Sequence, residues 1–461
     1  MSVLAAFAVP HPPLIIPEVG GAQTEEVAET IKAYEAVAKE IHSLNPDTVV
    51  ITSPHSVMYM DYFHISPGSS ASGSFSRFNA PKVKFSTEYD QLLVDEISRE
   101  ARNSGIPAGT KGERDRSLDH ATMIPLYFLK REMPDTQIVR IGLSGLSSLV
   151  HYRFGICIQK AAKRLGRRIV FIASGDLSHK LSSQGPYGFS SDGPVYDSMI
   201  RDIFSSGDFL RLLRIPEQFC ESAAECGQKS FQIMAGALDG MAVDASLLSY
   251  ECPFGVGYGI GRFMPLHPDD SRHLELELER SINDRMKRIR DAEDQFVHLA
   301  RLAVETFVKS ERRIAVPEGL GPELVNHMAG VFVSIHKDGN LRGCIGTIDA
   351  TRASVAEEII SNGISAASRD NRFDPIRQGE LDNLEYNVDV LGPHEKVTDK
   401  SQLDVKRYGV IVQNFHGRGL LLPDLAGVDT VDQQIAIARQ KAGIDEGEPV
   451  ELFRFQVTRH T

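Results

Sequence analysis

The chain opens on an almost unbroken apolar run, Val3 to Val9, that stops at Pro10-His11-Pro12-Pro13. A run this short and this apolar predicts a strand buried on both faces, as in a parallel sheet. The pattern returns at Val49 to Thr52, ending in Ser53-Pro54-His55, and at Ile169 to Ala173, which leads through Ser174-Gly175-Asp176-Leu177-Ser178 to His179. Between these runs the apolar period becomes helical. Val27, Ile31, Tyr34, Val37, Ala38 and Ile41 share one helical face, with Glu25 and Glu26 expected in the first turn, and Glu88 to Arg102 and Ser148 to Leu165 read the same way. Tyr62 to Ile65 and Ile138 to Leu143 read as strands, Pro67 to Gly73 as a loop. An irregular stretch with Arg114, Asp115 and Asp119 brings His120 to the mouth of an apolar helical segment, Met123 to Leu129. The strand–helix alternation predicts an α/β N-terminal domain, a mainly parallel sheet flanked by helices.

Past His179 the pattern predicts a glycine- and serine-rich loop up to Gly193, a helix over Tyr196 to Leu213, and a helix over Phe219 to Asp239 carrying Glu221, Glu225 and Cys226. A last strand, Ser249 to Phe263, has Gly255, Gly257, Gly259 and Gly261 at every second position, which signals close packing or a bulge. Pro265-Leu266-His267-Pro268-Asp269-Asp270 breaks the apolar pattern, so the expected domains are residues 1–270 and 274–461. The second opens on a long helix, Leu274 to Lys309. Strands follow at Val331 to Ile335 and Leu341 to Ile348 around an Asp338-Gly339 turn, a helix at Ala353 to Ala367, strands at Tyr386 to Val390, Val410 to Gln413 and Gly419 to Leu422, and a helix at Ile435 to Ala442. This order predicts a smaller α+β C-terminal domain with an antiparallel sheet.

Composition narrows the setting. The length of 461 residues suits two or three domains, and the 42% of hydrophobic residues supports ordinary cores. The five cysteines form no CxxC pair, which fits a reducing, cytoplasmic compartment. No stretch approaches the ~18 apolar residues of a membrane span, so no membrane partner is expected. A formal charge of −12 argues against nucleic acid as the main partner.

The chemistry concentrates on histidines. In open α/β sheets ligands bind outside the carboxyl ends of the strands, so His11, His55 and His179 are expected to share one site. Two histidines and one carboxylate on one face of an octahedral ion suit non-haem Fe(II), which then keeps positions open for a bidentate substrate and dioxygen. His11 and His55 are the expected pair and Glu225 the third ligand, since a charge beside Ala223 and Ala224 needs a partner if it faces inward. Cys226 is the alternative ligand, and a thiolate there favours Zn or Cu over ferrous iron. His179 is the candidate proton shuttle, with Asp176 either orienting it or capping a turn. His120 contacts substrate or caps a helix, and His64 is expected to be structural.

Val9-Pro10-His11-Pro12-Pro13, Ser53-Pro54-His55, Leu118-Asp119-His120 and Ser174-Gly175-Asp176-Leu177-Ser178-His179 together resemble the class III extradiol dioxygenase (LigB-like) family, including its Memo-like branch. The resemblance implies a metal on His11 and His55 plus a downstream carboxylate, His179 as acid–base catalyst, His120 lining the pocket, and a catechol or aminophenol type aromatic substrate. Ring-cleaving members carry a glutamate as the downstream ligand and Memo proteins a cysteine. Leu341-Arg342-Gly343-Cys344-Ile345-Gly346-Thr347, supported by Arg372-Phe373-Asp374-Pro375 and Leu420-Leu421-Leu422-Pro423, is similar to the AMMECR domain signature. The fusion resembles the AmmeMemoRadiSam system protein A family, whose name implies association with a radical SAM protein. Arg342 and Cys344 offer a charge and a thiol to a ligand, or Cys344 is core in a glycine-kinked strand.

Overall fold

The computed structural model describes residues 2–114, 117–337, 339–425 and 427–461; Asp115 and Asp338, both singled out in the sequence, lie outside the described residues. The chain divides into two compact units, Met1–Ile282 and Asn283–Thr461, and the division falls inside the helix Glu275–Ala292.

The first unit is built on a six-stranded sheet in the order Gln137–Gly142, Thr48–Ser53, Ile169–Ser174, Val3–Val9, Tyr258–Pro268, Met241–Glu251. The first four strands are parallel, and the last two are antiparallel to their neighbours. Alternate residues of Val3–Val9 enter opposite cores. Ala6 and Ala8 join the layer with helices Gln91–Asn103, Ser148–Leu165 and Gln228–Ala237, while Ala5, Phe7 and Val9 join the layer with Ala28–Leu44 and His120–Glu132. Both faces being covered explains why these strands read as continuous apolar runs.

Five elements differ from the sequence expectation. The helix expected over Tyr196 to Leu213 is two, Asp192–Ser206 and Phe209–Leu213, separated at Gly207 with φ +70°. Pro67 to Gly73 is not all loop: Ser70–Phe75 pairs with Ala80–Glu88 as a hairpin, whose inward face, Ala71 and Phe75 with Val83 and Phe85, alternates with serines and lysines. The expected strand Ser249 to Phe263 is two strands, Met241–Glu251 and Tyr258–Pro268, reversed at Gly255 with φ +78°. Its glycines do mark close packing, since a Cβ at Gly259 would stand 3.1 Å from the Leu177 side chain. The long helix after residue 274 is two, Glu275–Ala292 and Gln295–Ser310, the second capped by Asp294, which accepts from the Phe296 and Val297 amides. Finally, Phe219 to Asp239 is broken. Helix Glu217–Ala223 ends at Ala224 in the left-handed region, φ 51°, and Gln228–Ala237 begins afresh, so Glu225 and Cys226 sit on a turn. Alanine gives no local warning of such a stop.

The second unit contains two four-stranded antiparallel sheets. Asn340–Gly346, Val331–Lys337, Leu384–Leu391 and Val457–His460 form one, in that order, and Gln295–Ser310 and Val355–Ser368 pack on the face carrying Val331, Val333 and Ile335. Glu395–Val397, Glu451–Phe455, Gly409–Gln413 and Arg418–Leu421 form the other, covered by Val431–Ala442. Among the described residues no helix is long and apolar enough to cross a membrane.

Candidate metal centre

The three strands that hand over histidines are neighbours. Thr48–Ser53, Ile169–Ser174 and Val3–Val9 run in parallel side by side, so His55, His179 and His11 follow carboxyl ends along one edge of the sheet. His120 arrives separately, as the first residue of the helix capped by Asp119. The rings cluster: centroids are 4.9 Å apart for His11 and His55, 4.3 Å for His55 and His120, and 5.5 Å for His11 and His120.

Hydrogen bonds fix which nitrogen two of the rings, His11 and His179, present. The Ser174 hydroxyl donates to the Ala121 carbonyl at 2.8 Å, so at 3.0 Å from Ser174 Oγ the His11 Nδ1 must be the donor. Nε2 of His11 is left with its lone pair, 3.6 Å from Cys226 Sγ. His179 Nδ1 lies 2.5 Å from the Ala224 carbonyl, which only accepts, so its Nε2 is likewise bare. The left-handed turn at Ala224 therefore does two things, aiming a carbonyl at His179 and placing Cys226 against His11. Asp176 does not touch His179 Nδ1. It accepts the His11 backbone N–H at 2.7 Å and lies 3.9 Å from Nε2 of both His11 and His179.

Metal-ligating atoms of His11, His55 and Cys226 lie within 4.8 Å of one another, as do those of Asp176, His179 and Cys226. Neither group contains Glu225. Its carboxylate turns the other way, accepting the Gln228 N–H at 2.5 Å and the Tyr196 hydroxyl at 3.5 Å, so the structure brings together His11, His55 and the adjacent thiol rather than the expected acid. His64 stands apart, its Nε2 2.9 Å from the Glu113 carbonyl. Asp119, beyond capping the helix, accepts from Ser53 Oγ at 2.6 Å and pairs with the buried Arg140 at 3.6 Å, tying the His55 and His120 backbones together.

The electrostatics suit a cation. Burial, then His55, His120 and His179, push His11 well below its ordinary value, and burial with His55 takes His120 down to about 4, so both rings are neutral. Burial also lowers His55 and His179. It raises Asp176 to about 7 and, with Asp176 and Glu225 adding, lifts the Cys226 thiol well above its usual range. Neutral imidazoles beside an acid and a thiol that resist ionisation form a donor set whose unfavourable burial a positive ion reverses. Two aromatic rings border it, Phe78 at 5.5 Å from His120 and the exposed Tyr187 at 5.1 Å from His179.

Residues 5–261 match the family described as the catalytic LigB subunit of aromatic ring-opening dioxygenase. The chain belongs to this family. Residues 297–460 match AMMECR1, so a LigB domain is followed by an AMMECR1 domain. Protein CA_C1420 of Clostridium acetobutylicum shares both halves, at 38% identity over 468 residues, covering 100% of this chain and 99% of the relative. A Thermotoga maritima protein is 48% identical over 170 residues, 36% of this chain and 98% of its own length. Among solved structures, an uncharacterized protein from Pyrococcus horikoshii (31% identity, TM-score 0.34) covers 37% of this chain and 90% of its own. Another from Escherichia coli K12 (13% identity, TM-score 0.37) covers 57% and 99%.

The sequence offered no signal for Ser174 or the Ala224 carbonyl as orienting groups of this LigB site, since serine and alanine at strand and helix ends are common. In the AMMECR1 domain, Arg342 is consumed by Glu380 at 3.1 Å and the Asp374 carbonyl at 2.8 Å, while Cys344 is half-buried, opposite Ser334.

Proposed function

We propose that the LigB domain binds one transition-metal ion through His11, His55 and Cys226 and serves as a metal-dependent redox centre for a small aromatic molecule. The observation that carries this reading is the convergence of two neutral imidazoles and a thiol, with the neighbouring acid, Glu225, hydrogen-bonded elsewhere. Two nitrogens and a soft sulfur favour copper or zinc over the all-oxygen ions and leave room for ferrous iron; of these only copper and iron can change oxidation state, so the redox reading takes one of them. When bound, the ion supplies a positive charge that favours the ionised form of a substrate hydroxyl. This chain's residues do the rest. His179 offers a bare Nε2 as proton acceptor, fixed by the Ala224 carbonyl, and Phe78 and Tyr187 provide aromatic walls.

A second reading is extradiol cleavage of a catechol or aminophenol with Fe(II), favoured by neutral His120 and His179 standing beside the donor set. One experiment separates the two. Protein loaded anaerobically with Fe(II), Cu(I), Zn(II) or Co(II) is assayed for metal per chain, for the sulfur-to-Co(II) charge-transfer band, and for oxygen uptake with a panel of catechols. One ion per chain with a sulfur band supports the centre, and oxygen uptake in addition supports ring cleavage. Failure of all four ions to bind overturns both.

A further inference from the structure

His11, His55 and Cys226 leave a second set of donors beside them. Ligating atoms of Asp176, His179 and Cys226 also lie within 4.8 Å of one another, so Cys226 belongs to both sets. His179 Nδ1 is taken by the Ala224 carbonyl, which leaves Nε2 with a free lone pair. Asp176 Oδ1 accepts the His11 backbone N–H at 2.7 Å. Its Oδ2 stands 3.9 Å from Nε2 of His179 and 3.9 Å from Nε2 of His11, between the two sets, and among the described residues no donor comes within hydrogen-bond distance of it.

The backbone holds these three residues in place. The Asp176 N–H donates to Cys226 Sγ at 3.3 Å, the Cys226 N–H to the Asp176 carbonyl at 3.4 Å, and the His179 N–H to the Ala223 carbonyl at 3.3 Å. Buried Asp197 accepts the Ser178 N–H at 2.8 Å and the Tyr250 hydroxyl at 2.7 Å, which anchors the turn that delivers His179. The set is open on one side, where the His179 side chain is 17% exposed beside the exposed Tyr187. A buried carboxyl oxygen, a bare imidazole nitrogen and a sulfur that face one another with no cation between them form an uncompensated donor set.

We propose that Asp176, His179 and Cys226 form a second, weaker site for Zn(II), inhibitory in effect, with the Cys226 sulfur bridging it to the ion on His11 and His55. The second site rests on that first ion being held as described. Oxygen, nitrogen and sulfur are the ligand types zinc takes, at about 2.0–2.3 Å, and a tetrahedral ion spaces O and N by about 3.3 Å, close to the 3.9 Å between Asp176 Oδ2 and His179 Nε2. Paired metal ions in shared sites stand about 3.5–4 Å apart, within reach of one bridging sulfur. Zinc in the second site takes the Nε2 lone pair of His179 and so removes the proton acceptor. Repulsion between two doubly charged ions about 4 Å apart at water-like screening makes the second zinc about a thousandfold weaker than the first. The first therefore survives desalting, and the second needs free zinc.

Equilibrium dialysis of the full chain against rising free Zn(II), with bound metal counted per chain, reads both steps. The parent is expected to take one zinc at low free zinc and a second at a concentration about a thousandfold higher. His179→Ala and Asp176→Asn, whose side-chain oxygen can still accept the His11 N–H, should keep the first step and lose the second. With Co(II) in place of zinc, the sulfur-to-cobalt band should grow on both steps, because Cys226 serves both ions. One zinc at every concentration, kept by both variants, overturns the second site and leaves the first centre standing. A second zinc that persists in both variants, a cobalt band complete after the first step, or loss of the first step along with the second in both variants overturns it as well. No zinc at any concentration overturns the first centre and the second with it.

Discussion

The closeness of two backbone segments holds the proposed metal centre in shape, and Gly175→Ala tests it. Gly175 lies between Ser174 and Asp176, and Gly227 directly follows Cys226. A methyl group at 175 would overlap the Gly227 Cα and stand 3.1 Å from its nitrogen and 3.2 Å from its carbonyl carbon. Because normal carbon–carbon contacts sit at about 3.5–4.0 Å, the segments must separate by on the order of 1 Å. Backbone faces backbone here, so no side chain can swing aside. Gly175 is not among the glycines with positive φ, and alanine fits its backbone conformation, which leaves overlap as the whole effect. We expect a loss of about 1–3 kcal/mol in stability from overpacking, and a fall of about 10- to 100-fold in metal affinity as Cys226 moves off His11. Denaturant unfolding and metal titration of parent and variant give both numbers. Gly379→Ala, where the added methyl meets nothing within 4 Å, is the control. A Gly175→Ala protein with parental stability and affinity would refute the reasoning.

Two further outcomes follow from buried charge. Burial drives His151 from 6.5 down to about 3. The unfolded chain therefore takes up this proton first, and stability is lost as pH falls below 6.5 and down towards 3, by about 2 kcal/mol from this residue by pH 5. His151→Gln should flatten that part of the stability–pH curve in urea titrations; an unchanged slope would exclude the residue. Arg140, 3% exposed, donates to Ser66 Oγ and the Ser117 carbonyl at 2.7 Å each and faces Asp119. Arg140→Met leaves that acid without its cation and should cost about 3–5 kcal/mol in denaturant unfolding. A cost under about 1 kcal/mol would mean that Asp119 finds another partner.

What could be read from the sequence was whatever a periodic pattern or a strand end encodes. The strand Val3–Val9 and the helix Ser148–Leu165 match their expected limits, because continuous burial and a one-sided apolar stripe leave direct traces. That His11, His55 and His179 share an edge also followed, from parallel strands with equivalent ends. The choice between Glu225 and Cys226 could not be read. It depends on Ala224 adopting φ 51°, a conformation that alanine does not advertise, and on Gln228 offering an amide that captures the carboxylate. The hairpin Ser70–Phe75 with Ala80–Glu88 was hidden for a different reason: its inward face rests on few apolar residues, Ala71, Phe75, Val83 and Phe85, and the glycines and serines of residues 68–74 read as loop.

The central claim is that a thiol and two imidazoles, not the neighbouring acid, complete the centre. The most direct measurement is metal bound per chain in Cys226→Ala and Glu225→Gln, purified and loaded side by side with the parent and His11→Ala. Cys226→Ala and His11→Ala are expected to lose the ion while Glu225→Gln, whose amide oxygen can still accept from Gln228, keeps it. Metal retained by Cys226→Ala and lost from Glu225→Gln would contradict it.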